Sequence, residues 1–159
     1  MASGNIQKYF FLLLFTLFNT VSSLGQVQNI EFDHYTTNDG LSNGYINSII
    51  QDNTGFMWFA TGNGLNRFDG FSFKSYYSNP KDTTTLSGTS VTALVEDDFR
   101  NLWVMTNTNM CVYNRSKDNF KRIKLYANKV LYDNSITSCF IDSKGFMWIG
   151  SYGGVFKFR

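Results

Sequence analysis

Three carboxylates, Asp52, Asp97 and Asp142, recur at 45-residue intervals, and carboxylates are the groups that could hold a metal or share acid and base work. Each opens the same phrase: Asp52-Asn-Thr-Gly-Phe-Met-Trp58, Asp97-Asp-Phe-Arg-Asn-Leu-Trp103 and Asp142-Ser-Lys-Gly-Phe-Met-Trp148. Recurrence at one spot in successive units separates the three by the repeat spacing, so each is expected to serve its own turn rather than a shared centre. His34 is the one His of the chain and lies in an extended Phe32-Asp-His-Tyr35 stretch. It completes no two-His zinc motif and no Ser-His-Asp arrangement, and reads as ordinary strand packing. Cys111 and Cys139 could pair in an oxidising compartment if their Cα atoms come within reach. Cys139 stands where the other units have Ile49 and Leu94, which reads as a buried apolar substitute. No catalytic residue, metal or cofactor is expected of this chain.

The elements that position these residues follow from the same period. Leu41, Leu86 and Leu131 share it, as do Ile46, Val91 and Ile136, and Phe68, Tyr113 and Phe158. A repeat of this length is compatible with propeller blades or with helical pairs. No unit holds ten residues of helical periodicity free of Gly or turn clusters, and β-branched and aromatic residues dominate, so strands are expected. Apolar runs at 46–51 and 56–61, 91–96 and 102–106, and 136–141 and 146–151 flank the polar turns. Within those turns the Asp can accept backbone N–H bonds, and Gly55 or Gly145 can turn left-handed with no Cβ to clash. Arg100 stands at the matching place in the middle unit, where Asn101 is expected to shift the turn by one residue. Along the second strand Phe56, Trp58 and Ala60 point one way and Met57 and Phe59 the other, which suits a sheet buried on both faces. The three Trp residues are expected as wedges between blades. A third strand follows at 65–69, 110–114 and 155–158, and a more polar fourth at 71–76 and 120–126, its Lys residues protecting an outer edge. The fold class expected is all-β, a partial β-propeller with four-stranded blades.

Asp52, Gly55, Trp58, Thr61, Gly64 and Leu65, together with the opening Tyr35-Thr-Thr-Asn-Asp-Gly-Leu-Ser42 and the Leu65-Asn-Arg-Phe-Asp-Gly70 run, resemble the two-component regulator propeller repeat. The resemblance runs from about residue 30 to 159, and the middle unit departs from it at Arg100 and at Asn109-Met110. It implies the first blades of a periplasmic sensor from a hybrid two-component system of the Bacteroidetes type. In that family the propeller senses carbohydrate breakdown products, and a transmembrane helix couples it to a histidine kinase, a receiver and a DNA-binding domain. The partners so implied are the remaining blades, the downstream kinase domains, an oligosaccharide and a second copy of the parent.

Lys8 precedes a ten-residue apolar block at 9–18, and small or polar residues follow through Gly25. This is the form of a secretory leader cleaved after Gly25, too short for the roughly 20 apolar residues of a spanning helix. The expected organisation is a leader at 1–25, a lead-in at 26–44 with an outer, ring-closing strand at 30–35, blades at 45–89 and 90–134, and an incomplete blade at 135–159. With 18% aromatics, one Pro and a net charge of +2, the chain offers no basic stripe for nucleic acid. Lys117, Lys121, Arg122, Lys124 and Lys129 gather near the second unit's outer strand and read as a solvated edge. Asn114-Arg-Ser116 matches a glycosylation sequon, expected to be idle in a bacterial chain.

Loops that converge on one propeller face are the places for a ligand. The long connector at 78–88 and the shorter one at 128–134 are therefore the candidates, with Tyr76, Tyr77 and Tyr132 as sugar-stacking rings. The alternative reading is a secreted propeller that is either an interaction scaffold or a polysaccharide-active enzyme.

Overall fold

The computed structural model describes Tyr9 and residues 30–127, 130–132 and 135–158, with the backbone alone at 127 and 130–132. There are two compact units, Met1–Asp33 and His34–Arg159, and every sheet belongs to the second. The leader expected at 1–25 lies outside the described residues. The described residues 30–35 are not in a strand, and His34 is exposed rather than packed in one. A strand needs a partner, and none for this stretch lies among the described residues. The chain turns instead at Thr37–Asp39, a 3-10 turn closed by a capping box in which Thr36 and Asp39 bond each other's backbone.

Two four-stranded antiparallel sheets follow. The first runs β1 (Ile46–Gln51), β2 (Met57–Thr61), β3 (Gly64–Phe68) and β4 (Phe73–Tyr76), and the second β5 (Val91–Glu96), β6 (Leu102–Thr106), β7 (Met110–Asn114) and β8 (Asn119–Ile123). Beyond them β9 (Leu125–Ala127) and β10 (Val130–Tyr132) form a hairpin, and β11 (Ile136–Ile141), β12 (Met147–Ser151) and β13 (Gly154–Phe158) make a third sheet. The unit is a partial β-propeller in which consecutive sheets are blades.

The polar fourth strands are shorter than their sequence suggests. Phe71 and Ser72 lie in a turn, where Asp69 Oδ1 accepts both of their backbone N–H groups at 2.8 and 2.7 Å. The run at 120–126 breaks at Lys124 between β8 and β9, so the connector expected at 128–134 holds β10 and is half of a hairpin.

Inner strands carry a feature absent from the sequence reading. Register shifts recur at Ile46/Ser48, Val91/Ala93 and Ile136/Ser138, which places Asn47, Thr92 and Thr137 on matching bulges. A bulge re-aims a side chain, and here Asn47 Nδ2 donates to the Val91 carbonyl at 2.7 Å while Thr92 Oγ1 donates to that of Ile136 at 2.9 Å. The first and second blades thereby each reach the first strand of the next.

Apolar packing runs in the same direction. Trp58, Ala60, Leu65 and Tyr76 of the first blade share a core with Leu102, Val104, Cys111, Tyr113 and Phe120 of the second. Met105 and Met110 of the second then pack with Ile136, Met147 and Ile149 of the third, with Trp103 partly buried against them. Trp58, Trp103 and Trp148 all lie on the forward face of their blade. Trp58 is fully buried, Trp103 half-buried against Phe158, and Trp148 38% exposed. The expectation of two buried faces holds for β6, whereas Met57 and Phe59 on the rear of the first blade are only half-buried. Tyr35 shields part of that rear face, its ring 5.2 Å from Phe68 and 5.7 Å from Phe73.

Candidate functional site

The repeated carboxylates do serve their own turns, and they do more. Asp52 Oδ1 accepts the backbone N–H groups of Thr54 and Phe56 at 2.9 and 3.2 Å, while Oδ2 accepts the Trp58 indole N–H at 2.8 Å. The same indole bond joins Trp103 to Asp97 at 2.8 Å and Trp148 to Asp142 at 2.9 Å. A buried indole N–H needs an acceptor, and a spacing of six residues across the hairpin supplies one in every blade. The hydroxyl that ends each second strand acts in parallel, as Thr61, Thr106 and Ser151 donate to the carbonyls of Gly64, Asn109 and Gly154 across the next turn.

The middle turn corrects the expectation for Asn101. Arg100 itself adopts the left-handed backbone, φ 66°, where Gly55 has 93° and Gly145 77°. Asn101 keeps register and donates its backbone N–H and its Nδ2 to Asp97 at 2.8 and 2.9 Å. The carboxylate holds the turn in place, so the Cβ strain falls on the arginine.

Two polar clusters bind the first blade to the second. Arg115 donates from Nη1 to Asp52 Oδ2 at 2.6 Å and from Nη2 to Glu96 Oε1 at 2.8 Å, and Glu96 in turn accepts the Asn53 backbone N–H at 2.9 Å. The Asp52 side chain is fully buried. Burial alone would raise its pKa, but bonds from Thr54, Arg115 and Trp58 outweigh it and hold the carboxyl at about 2. The second hub is Asp118, also left-handed at φ 51°. Its Oδ1 accepts the hydroxyls of Tyr76 and Tyr113, each at 2.6 Å, and Oδ2 accepts Lys74 Nζ. Partial burial is again overcome, here by Lys74 and the two tyrosines, and its pKa falls to about 2.

These clusters decide where the sequence-selected residues stand. Tyr76 is buried, stacked on Trp58 at 5.8 Å and 25°, with its hydroxyl spent on Asp118. Its ring offers no face to a sugar and belongs to the inter-blade core. Tyr77 is 51% exposed and joins Thr84, Thr85 and Asp118 around a cleft of about 320 Å³. The side chain of Tyr132 lies outside the described residues. The connector at 78–88 is a tethered loop: Arg122 donates to the carbonyls of Asn79, Asp82, Thr85 and Leu86 at 2.8 to 3.0 Å. Arg122 is thus a clamp and no part of a solvated edge, whereas Lys117, Lys121 and Lys124 are exposed. Lys129 lies outside the described residues. Asn114 accepts the Ser116 and Lys117 backbone N–H groups at 3.1 and 3.2 Å, a turn-forming role for the sequon residue.

Cys111 and Cys139 are both free and belong to different inter-blade cores. Burial pushes their thiols up to about 11 and about 12, which makes them poor nucleophiles at neutral pH. A further cleft of about 490 Å³ lies between the second and third blades, lined by Asp97, Trp103, Lys144 and Phe158 among others. It is the counterpart, one junction on, of the seam that Arg115 occupies between the first and second blades, and it belongs to blade stacking.

Comparison with known proteins agrees with this architecture. The family model described as two component regulator propeller matches residues 40–63 and 133–153, the hairpins of the first and third blades. Histidine kinase P4 of Formosa agariphila is 42% identical over 78 residues, 49% of this chain and 6% of that protein. Two crystal structures of the extracellular domain of BT4673 from B. thetaiotaomicron, described once as a one component system and once as a hybrid two component system, each superpose with a TM-score of 0.61. Their identities are 28% and 26%, over 71% and 76% of this chain and 16% of theirs. The chain therefore spans a small part of the relatives it matches. No helix among the described residues is long and apolar enough to cross a membrane. With its Asp–Trp turn built alike in three consecutive blades, the chain is similar to the two component regulator propeller repeat, whose family model matches two of those blades.

Proposed function

We propose that residues 34–159 are a blade segment of an exported sensor propeller in a hybrid two-component system, lying on the outer side of the membrane that holds the parent protein. The observation that carries this reading is the 42% identity to a histidine kinase, joined to a fold shared with the extracellular domain of a two-component system. A blade segment of this kind has a passive part in signalling. It supplies a rigid, repeating frame, and the loops at the blade ends offer groups to a ligand. The segment is proposed to be non-catalytic, the kinase activity residing in other domains of the parent. Carbohydrate is the proposed ligand class, with Tyr77 beside the Thr84, Thr85 and Asp118 cleft as the exposed ring on offer.

Reading the genomic DNA past the codon for Arg159 tests the sensor assignment. Further Trp repeats, a membrane-spanning helix and a kinase core in frame are expected, and a stop with no repeat in any frame would overturn it. The ligand class is tested by titrating the parent's whole outer region with an oligosaccharide panel in a calorimeter. Saturable heat from at least one sugar is expected, and none from the entire panel would remove carbohydrate from the proposal.

A further inference from the structure

We infer that the cleft beside the middle turn is an oxyanion site, built by Arg100, Arg115 and Lys121 for a carboxylate, sulfate or phosphate group. The cleft measures about 430 Å³ and these three cations line it together with Tyr113 and Ser116. Among the described residues no carboxylate lines it. Arg115 spends its two Nη groups on Asp52 and Glu96, which fixes the guanidinium plane, and its Nε is buried with no hydrogen-bond partner. A buried donor left unpaired is costly, and it leaves the Arg115 cation incompletely paired at the wall of the cleft. Arg100 and Lys121 are both exposed, and among the described residues neither side chain has an ionic or hydrogen-bonding partner.

Arg100 supplies an independent argument. Its position is held by glycine in the sister blades, and its φ of 66° is one that a side chain disfavours. Asp97 holds the turn, but among the described residues the Arg100 side chain has no polar partner of its own, so the arginine is best explained by what it meets outside the chain. The donor set also selects the ligand's chemistry. Free N–H groups from two guanidinium groups and one ammonium match an oxyanion's acceptor-only oxygens, whereas a neutral sugar hydroxyl would also seek acceptors. The site goes beyond the sensor reading and does not depend on it.

The test titrates the full chain with sodium sulfate, sodium phosphate and sodium acetate, each against sodium chloride at equal ionic strength, following thermal stability and the Arg Nε–H NMR signals. Saturable stabilisation over chloride, with a shifted Arg115 Nε–H signal, is the expected result. If acetate matches sulfate the site takes carboxylates, and if only sulfate and phosphate act it takes tetrahedral anions; both sustain the proposal. Arg100→Gly restores the sister-blade residue, so it folds at least as well, yet it is expected to weaken anion binding about tenfold or more. Lys121→Gln is expected to weaken it in the same direction by a smaller factor. No anion exceeding chloride, or unchanged binding in Arg100→Gly, would overturn the site.

Discussion

The first tryptophan and the third are the same residue in the same local frame, and they have opposite surroundings. Trp58 and Trp148 each donate to the Asp six positions earlier, at 2.8 and 2.9 Å. Yet Trp58 is sealed by Tyr76 and Tyr113 while Trp148 is 38% exposed, with Lys157 over its ring. The local bond thus belongs to the hairpin and survives without a neighbour. What burial adds to Trp58 comes from Tyr76 of its own blade and Tyr113 of the next. The junctions differ too. Between the first and second blades Glu96 meets Arg115, whereas Ile141 occupies the position matching Glu96 in the third. Apolar stacking is common to both described junctions, and Glu96, which completes the charged latch at the first, is replaced by Ile141 at the second.

Truncation of the tryptophans is the strongest way to break this comparison. Trp58→Ala should cost about 3–5 kcal/mol in urea unfolding, as for other fully buried aromatics, and Trp148→Ala about 1 kcal/mol. Equal losses would mean that the indole bond, and not the neighbouring blade, carries the energy. Next comes the latch. Arg115→Met leaves the buried Asp52 carboxylate with its turn donors but no cation, and should cost about 2 kcal/mol by the same measurement.

Acid sharpens the same point. Asp52 falls from an ordinary 3.8 to about 2 on folding, so its contribution is fully present above pH about 4 and is lost as pH drops through about 2. Urea midpoints between pH 5 and pH 2 should reveal a loss of about 2 kcal/mol from this group, and Asp52→Asn should flatten that slope. Asp118 is depressed in the same direction but is partly exposed, and its share is smaller. The smallest effect expected is a gain: Arg100→Gly should stabilise the middle turn by about 1 kcal/mol, because the side chain no longer resists a left-handed backbone.

How legible this was in the sequence follows from the range of each interaction. The blades could be read because the 45-residue period is unbroken and strand and turn signals lie within a few residues of each other. The Asp–Trp bond was within reach as well: an invariant offset of six between a carboxylate and an indole is its signature. Arg115 was not, since its partner Asp52 lies 63 residues away and the first unit has Gly70 at the matching place. Arg122 looked like one more exposed cation, and only the path of the 78–88 connector turns it into a clamp. Tyr76 looked like a loop ring for a similar reason. Its place in the core depends on Asp118, a residue 42 positions on, that accepts two tyrosine hydroxyls from adjacent blades. Arg100 misled in the opposite direction, because a conformational preference favoured Asn101 while the Asp97 bonds fixed the register.

Single-tryptophan chains, with the other two indoles changed to Phe, give the most direct test of forward stacking. Acrylamide quenching of their fluorescence should rise in the order Trp58, Trp103, Trp148, with Trp58 nearly inaccessible. Equal quenching of all three, or Trp58 as the most accessible, would contradict the packing of each blade's tryptophan face on the blade that follows.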